Sequence, residues 1–176
     1  RNSDEVYVLR NMNLMEEFFV RHDLSEEMVS SIPGIKSVTQ IVFEEDNLGG
    51  QTFAAEYQGQ EHYFTSLLAV QDNFFSFFSF PLLSGSPIAD QKGNNGAVIS
   101  KDLADKIFGK EDPIGKSILI PFVSFREKNE FIVEGVFQEF PNTSLPKADV
   151  IIGQESYNEC AAKVWGTMRE GTDDPR

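Results

Sequence analysis

The sequence has little of what most chemistry is built from. It holds one cysteine, Cys160, so no disulfide can form within the chain. It holds two histidines, His22 and His62, forty positions apart. A Cys/His zinc site needs more ligands at closer spacing. Neither histidine lies in a recognisable catalytic signature, so Cys160 reads as an incidental or core thiol rather than a nucleophile. Basic residues are also scarce: 15 Lys and Arg stand against 28 Asp and Glu, for a net charge of −13. Such a surface repels phosphate backbones, which excludes a nucleic-acid partner, and it disfavours anionic lipid headgroups. The acidity reads as solubility. No apolar run approaches the ~18–20 residues that a membrane span requires, and no signal peptide is visible.

What is present describes a folded domain. The 176 residues are 40% hydrophobic and 24% charged, a globular composition. They suffice for a single domain over 1–176, with room for a small inserted lobe. Phenylalanine is overused, with 16 copies against one Trp and four Tyr. Phe buries a large area and brings no polar atom to satisfy, so the core is expected to be Phe-rich. The chain starts at Arg1 rather than Met and ends in the polar run 170–176, and both ends read as boundaries within a longer protein.

Periodicity places the elements. Val6 to Leu9 reads as a strand, and Met12 to Val20 has helical spacing. Ser25 is a candidate N-cap for a helix with Glu26 and Glu27 in its first turn, ended by Pro33-Gly34. Ile35 to Phe43 reads as a strand, and Glu44 to Gly50 as a polar turn. Gln51 to Tyr57 and Glu61 to Leu68 read as a hairpin around Gln58-Gly59-Gln60. Asp72 would cap a short helix with Phe74, Phe77 and Phe78 on one face, stopped by Pro81, before a loop at Gly85-Ser86-Pro87. Ala97 to Ile99 is a buried strand. Ser100 caps a helix from Lys101 to Phe108 whose stripe is Leu103, Ala104, Ile107 and Phe108, closed by Gly109. After the turn Asp112 to Gly115, the segments Ser117 to Phe122 and Phe131 to Phe137 alternate as paired strands. They are separated by the charged loop Arg126 to Glu130. A second turn at Pro141 to Ser144, a strand Ala148 to Ile152 and a helix Glu155 to Met168 complete the chain. The irregular mixture argues an α+β fold with a mixed or antiparallel sheet.

Four motifs invite function. Gly115-Lys116-Ser117 invites a phosphate loop, but five residues separate Gly109 from Gly115 where that loop needs four, and a strand follows where a helix should. Glu44-Glu45-Asp46 lacks the pattern of a calcium loop and reads as a solvated turn. Asn142-Thr143-Ser144 matches a glycosylation sequon, a tripeptide common by chance. The Phe run from 74 to 80 reads as a core-packing helix, with an exposed patch for a lipid tail or partner as the alternative.

The run from Asp72 to Gly85 resembles a segment of the MacB-like periplasmic core domain. So do the run from Ala97 to Gly109, the run Asp112-Pro113-Ile114-Gly115-Lys116 at the family's usual position, and the strand Phe131 to Phe137. Pro33-Gly34-Ile35 looks like the family's first helix-to-strand turn. The resemblance covers about Leu24 to Ile152, and its Phe-rich wording is similar to FtsX-like ABC transporter permeases of the Bacteroidetes type. These residues are a folding signature, so none carries over as catalytic, cofactor-binding or metal-binding, and no binding residue is assigned. The resemblance implies a non-enzymatic periplasmic segment between the first two membrane helices of an inner-membrane permease. A cytosolic ATP-binding subunit would drive it through the transmembrane region, and a periplasmic protein partner would be engaged outside. It also implies efflux or mechanotransmission, paired permease subunits with the isolated domain monomeric, and a two-lobed plan. The lobes are a βαβ-type lobe and a smaller inserted lobe, expected about 51–93. A free-standing extracytoplasmic ligand-binding or sensor domain is the rival reading. A hydrolase is the third, and this sequence barely has the residues for it.

Overall fold

The computed structural model describes residues 24–45, 53–88, 95–121, 128–138 and 147–170. The expected strand at Val6 to Leu9, the helix at Met12 to Val20 and the turn at Pro141 to Ser144 with its sequon lie outside them. So do residues 46–50 of the turn expected from Glu44 to Gly50 and Arg126 and Glu127 of the charged loop; Glu44, Glu45 and the loop residues Lys128 to Glu130 lie in strands instead, where neighbouring strands pair with them.

 The chain divides between Val38 and Thr39 into two compact units.

In the first unit, α1 spans Leu24–Ser31. It begins at Leu24, so Ser25, expected as the cap, stands inside the first turn instead. Ile32 N closes the last turn on Met28 O at 3.0 Å. Pro33 cannot continue the helix, and Gly34 takes a left-handed φ of +95° as the chain turns away.

The second unit is a nine-stranded mixed sheet, counted over the described residues. Its elements are β1 (Ile41–Glu45), β2 (Phe53–Tyr57), β3 (Gln60–Phe64), β4 (Ser66–Val70), α2 (Phe74–Phe77), β5 (Leu82–Gly85), β6 (Gly96–Ser100), α3 (Lys101–Phe108), β7 (Ser117–Pro121), β8 (Lys128–Phe137), β9 (Val150–Gly153) and α4 (Gln154–Glu170). The order is β1-β4-β9-β6-β8-β7-β2-β3, with β5 on β8. The pairs β4–β9 and β6–β8 are parallel and the rest antiparallel. The fold is α+β, and β6 reaches its parallel neighbour β8 through α3 and β7. The strands β2 to β5, which fall in the interval 51–93, all join this same sheet.

Several expected elements change in extent. The strand expected from Ile35 starts only at Ile41, because its partner β4 ends at Val70, the residue opposite Ile41. The strand expected over Glu61 to Leu68 is two strands, broken at Thr65. There Asp149 takes hydrogen bonds from the Thr65 backbone N–H at 2.8 Å and its hydroxyl at 3.0 Å. That anchor sends β3 back along β2 and β4 along β9. Gly85, expected in a loop, ends β5. The hairpin of β2 and β3 forms as expected: Gln58 and Gly59 both have positive φ, +52° and +78°, the signature of a two-residue turn matched to strand twist.

Alternation along the strands builds two cores. On one face lie Leu67, Ala69, Ala97, Ile99, Val150 and Ile152, under α3 and α4. On the other lie Leu68, Val70, Val98 and Ile151, under the Phe segment. Helix α3 follows its sequence to the residue. Ser100 Oγ accepts Leu103 N–H at 3.2 Å, Lys106 lies in the last turn, and Gly109 closes it at φ +62°. Its stripe Leu103, Ala104, Ile107 and Phe108 is buried on the first face. Cys160 of α4 is buried in that core too.

The Phe segment is core, with a different face from the one expected. Asn73, not Asp72, stands at the N-cap of α2, and Phe74 and Phe75 are the buried pair. Phe77 and Phe78 are half-buried. Two bonds explain the shape: Phe80 N–H reaches Phe75 O at 2.8 Å and Ser79 N–H reaches Ser76 O at 3.2 Å. This is a Schellman closure, with Ser79 in the left-handed position at φ +50°. It folds Phe80 back onto Phe74 and Phe75, each with ring centroids 6.0 Å away.

Candidate functional site

Strand β8 decides which surfaces the sheet offers. Phe131 and Val133 point to the first face, and plain alternation would send Phe137 there as well. The pairing of β8 with β6 steps from Ala97↔Val133 to Val98↔Gly135, so Glu134 is an extra residue. The phase flips. Val136 joins the first face and Phe137 the second, where its ring lies 5.6 Å from that of Phe80.

Glycines make the bulge possible. Gly85, at φ +77°, lies so close to β8 that a Cβ there would stand 2.0 Å from Glu134 O. A Cβ on Gly135 would stand 2.8 Å from Ser86 O. Gly135 thus marks both the irregularity in β8 and a close approach of the neighbouring chain. Nothing in the sequence marked Glu134 as the inserted residue, because bulge position depends on the register of two neighbouring strands.

Beyond the bulge the second face changes character. Glu61, Glu56, Leu119 and Glu130 form one row across β3, β2, β7 and β8 by register. Lys128 bonds Glu56, and Ser117 Oγ donates to Glu130. The bond to Glu56 holds Lys128 above the ordinary lysine pKa, with burial opposing. Tyr63 is 53% exposed and Ile132 39% exposed on the same face. The first face is largely apolar, with His62 and Asn129 opposite Ala55 and Ile120 as its polar members.

The turn that suggested a phosphate loop is structural. Gly115 takes φ +79° and its N–H bonds Val133 O at 2.8 Å, leading straight into β7. Lys116 Nζ donates to the Glu111 carboxylate and, at 3.3 Å, to Tyr57 Oη, and it sits 5.8 Å from the Tyr57 ring centroid. The Glu111 bond first, then the Tyr57 bond, holds Lys116 above the ordinary lysine value. Tyr57 packs edge-on against Phe108 at 4.7 Å. Lys116 thus ties the hairpin end to the end of α3. His62 of β3 lies opposite Ala55, while Cys160 is in the core under α4. Among the described residues no three His, Cys, Asp or Glu side chains could hold a metal, and no helix is long and apolar enough to cross a membrane.

The described residues form an α+β sheet with one helix-covered face and one half-face capped by the Phe segment. The chain matches the MacB-like periplasmic core domain over residues 2–173, and it belongs to that family. Its fold is similar to the periplasmic region of MacB from Actinobacillus actinomycetemcomitans, at TM-score 0.54 and 16% identity, covering 74% of this chain and 53% of that one. It is similar to the extracellular domain of the noncanonic ABC-type transporter YknZ from Gram-positive bacteria, at TM-score 0.57 and 18% identity, covering 79% and 67%. A domain attributed to a permease protein of Porphyromonas gingivalis gives TM-score 0.54 and 19% identity, covering 74% and 51%. The chain therefore spans about half the length of two of these three. A search of curated proteins returns no match.

Proposed function

We propose that this domain is the extracytoplasmic part of an ABC transporter permease, without catalysis of its own. It couples ATP hydrolysis by a separate cytosolic subunit to export or to periplasmic partners. The observation that carries the reading is the family match over residues 2–173, which spans nearly the whole chain. The architecture supports it physically. A continuous hydrogen-bonded sheet packed on one face and on half of the other is a stiff body, which is what transmission of a displacement requires. In this reading the parent lies in the inner membrane, paired with a second permease subunit, and the domain lies in the periplasm. The inserted lobe expected about 51–93 is reduced to the β2–β3 hairpin and its flanks.

Topology of the full-length parent tests the proposal, by reporter fusions at both boundaries of this segment. One span before Arg1 and three after Arg176, with the segment outside, is the expected result. A parent without flanking spans would sink the permease reading and leave a binding or sensor module.

A further inference from the structure

Half of the second sheet face has no core cluster over it among the described residues. Register places Tyr63 of β3 opposite Ala54 of β2, Leu119 of β7 beside Glu56, and Ile132 of β8 opposite Ser117. Tyr63, Ala54, Leu119 and Ile132 thus step across four strands while moving along them. They form an apolar diagonal, roughly 20 Å long from strand spacing and rise. Tyr63 is 53% exposed, Ile132 39% exposed and Leu119 half-buried.

Carboxylates line both sides of that diagonal. Glu56 and Glu61 stand on one flank and Glu130 on the other. Glu134 closes the far end, its carboxylate lying over Gly96, the residue paired with Ile132. One lysine, Lys128, stands among these four and bonds Glu56. Tyr63 Oη donates to Glu61 at 3.3 Å and Ser117 Oγ donates to Glu130, so both acceptors are already oriented. The outward side of α3 is different: Lys101 and Lys106 balance Asp102 and Asp105.

An apolar strip exposed on a sheet face marks a contact surface, and its charges select the occupant. A second copy of this chain, docked by the same face, would set carboxylates against carboxylates. A phosphate-bearing surface would be repelled in the same way. A polypeptide with an apolar stripe flanked by lysines or arginines meets both features. A helix suits the dimensions. About 14 residues span ~20 Å, and a width of ~10–12 Å fits between Glu61 and Glu130, three strand spacings or ~14 Å apart. The first face of this same sheet is already covered by helices. We propose that the open half-face docks a basic amphipathic helix of a partner protein, its stripe on Leu119 and Ile132 and its cations on Glu61 and Glu130. This names the kind of partner in the coupling reading above and rests on it for its purpose, while the surface itself is a property of this chain.

The probe is a synthetic peptide of about 14 residues, Leu and Lys in amphipathic helical order, with its binding to this chain read by fluorescence anisotropy at ~0.15 M salt. Glu61→Gln with Glu130→Gln removes charge and keeps shape, and it is expected to weaken binding about tenfold. Both side chains are exposed, so the fold does not depend on them. Asp102→Asn with Asp105→Asn removes as much charge from α3 and should leave binding within about twofold. Ile132→Thr trims the diagonal with a residue that strands accept, and about fivefold weaker binding is expected. A peptide of the same composition with its stripe scrambled should bind about tenfold more weakly. Equal weakening by the two charge pairs, or equal binding of the scrambled peptide, would reduce the effect to general acidity and overturn the proposal. Failure of the Leu/Lys helix to bind would overturn it as well. The topology experiment is independent: a face that binds nothing leaves the permease reading standing, and a parent without spans leaves the docking face standing without that purpose.

Discussion

The second face of the sheet carries two unlike surfaces on one ladder. Over β4, β9 and the end of β8 it is apolar and roofed by Phe74, Phe75, Phe78 and Phe80. Over the start of β8, β7, β2 and β3 it presents Glu56, Glu61, Glu130 and Tyr63, with no core cluster above them among the described residues. Both halves are built from strands that alternate correctly. The roofed half has Leu68, Val70, Val98 and Ile151 from its own strands and gains Phe137 through the extra residue at Glu134. The comparison teaches that strand composition sets the character of each half, and that a single bulge can still move one large ring from one face to the other.

Breaking the roofed half should have the largest effect. Phe74→Ala removes a fully buried ring that contacts Phe75, Phe78 and Phe80. A loss of about 3–5 kcal/mol is expected from the cavity it leaves, read as the shift of the urea midpoint. A loss below about 1 kcal/mol would mean the Phe cluster is not a core. Moving the boundary comes next. Gly85→Ala forces a side chain onto a left-handed backbone against Glu134 O. The backbone strain alone is about 1–3 kcal/mol, and exchange should rise in β5 and in residues 133–137 before it rises in β1.

The open half should answer to pH instead. Lys128 and Lys116 both have raised folded pKa values. A raised lysine stabilises the fold below its unfolded pKa, and that contribution is lost as pH climbs through the folded value. Stability should therefore fall at alkaline pH, above about 10.5. The fall should be shallower in a Glu56→Gln, Glu111→Gln double variant, compared by urea melts on either side of that pH. An unchanged slope would show that these pairs carry no linkage. The smallest effect is expected for Tyr63→Thr, at 53% exposure on a strand that tolerates Thr. A change below about 1 kcal/mol in the same melt would sharpen the contrast with Phe74.

Where local chemistry sufficed, the sequence was legible. Ser100, the stripe Leu103 to Phe108 and Gly109 specify α3 at both ends, because cap, periodicity and C-terminal glycine all act within a few residues. The hairpin at Gln58-Gly59 is equally local. The strand starting at Ile41, the break at Thr65 and the cap at Asn73 were not readable in this way. The first depends on where β4 ends and the second on Asp149, eighty-four residues away. For the cap, two adjacent polar residues, Asp72 and Asn73, offered equivalent local signals, and packing of Phe74 and Phe75 chose between them. The site residues show the same division. The turn at Gly115 was visible, whereas the bulge at Glu134 and the meeting of Tyr57 with Lys116 come only through pairing of distant segments.

By itself, then, the sequence determined the α+β class, the Phe-rich core, the ends of α3 and the family resemblance, since composition, caps and short-range periodicity are properties of neighbours along the chain. Only the tertiary structure decided which strands run parallel, which half of the second face is roofed, and that Lys116 meets Tyr57. Those depend on register between segments far apart in sequence, and a one-residue change of register inverts every side chain beyond it.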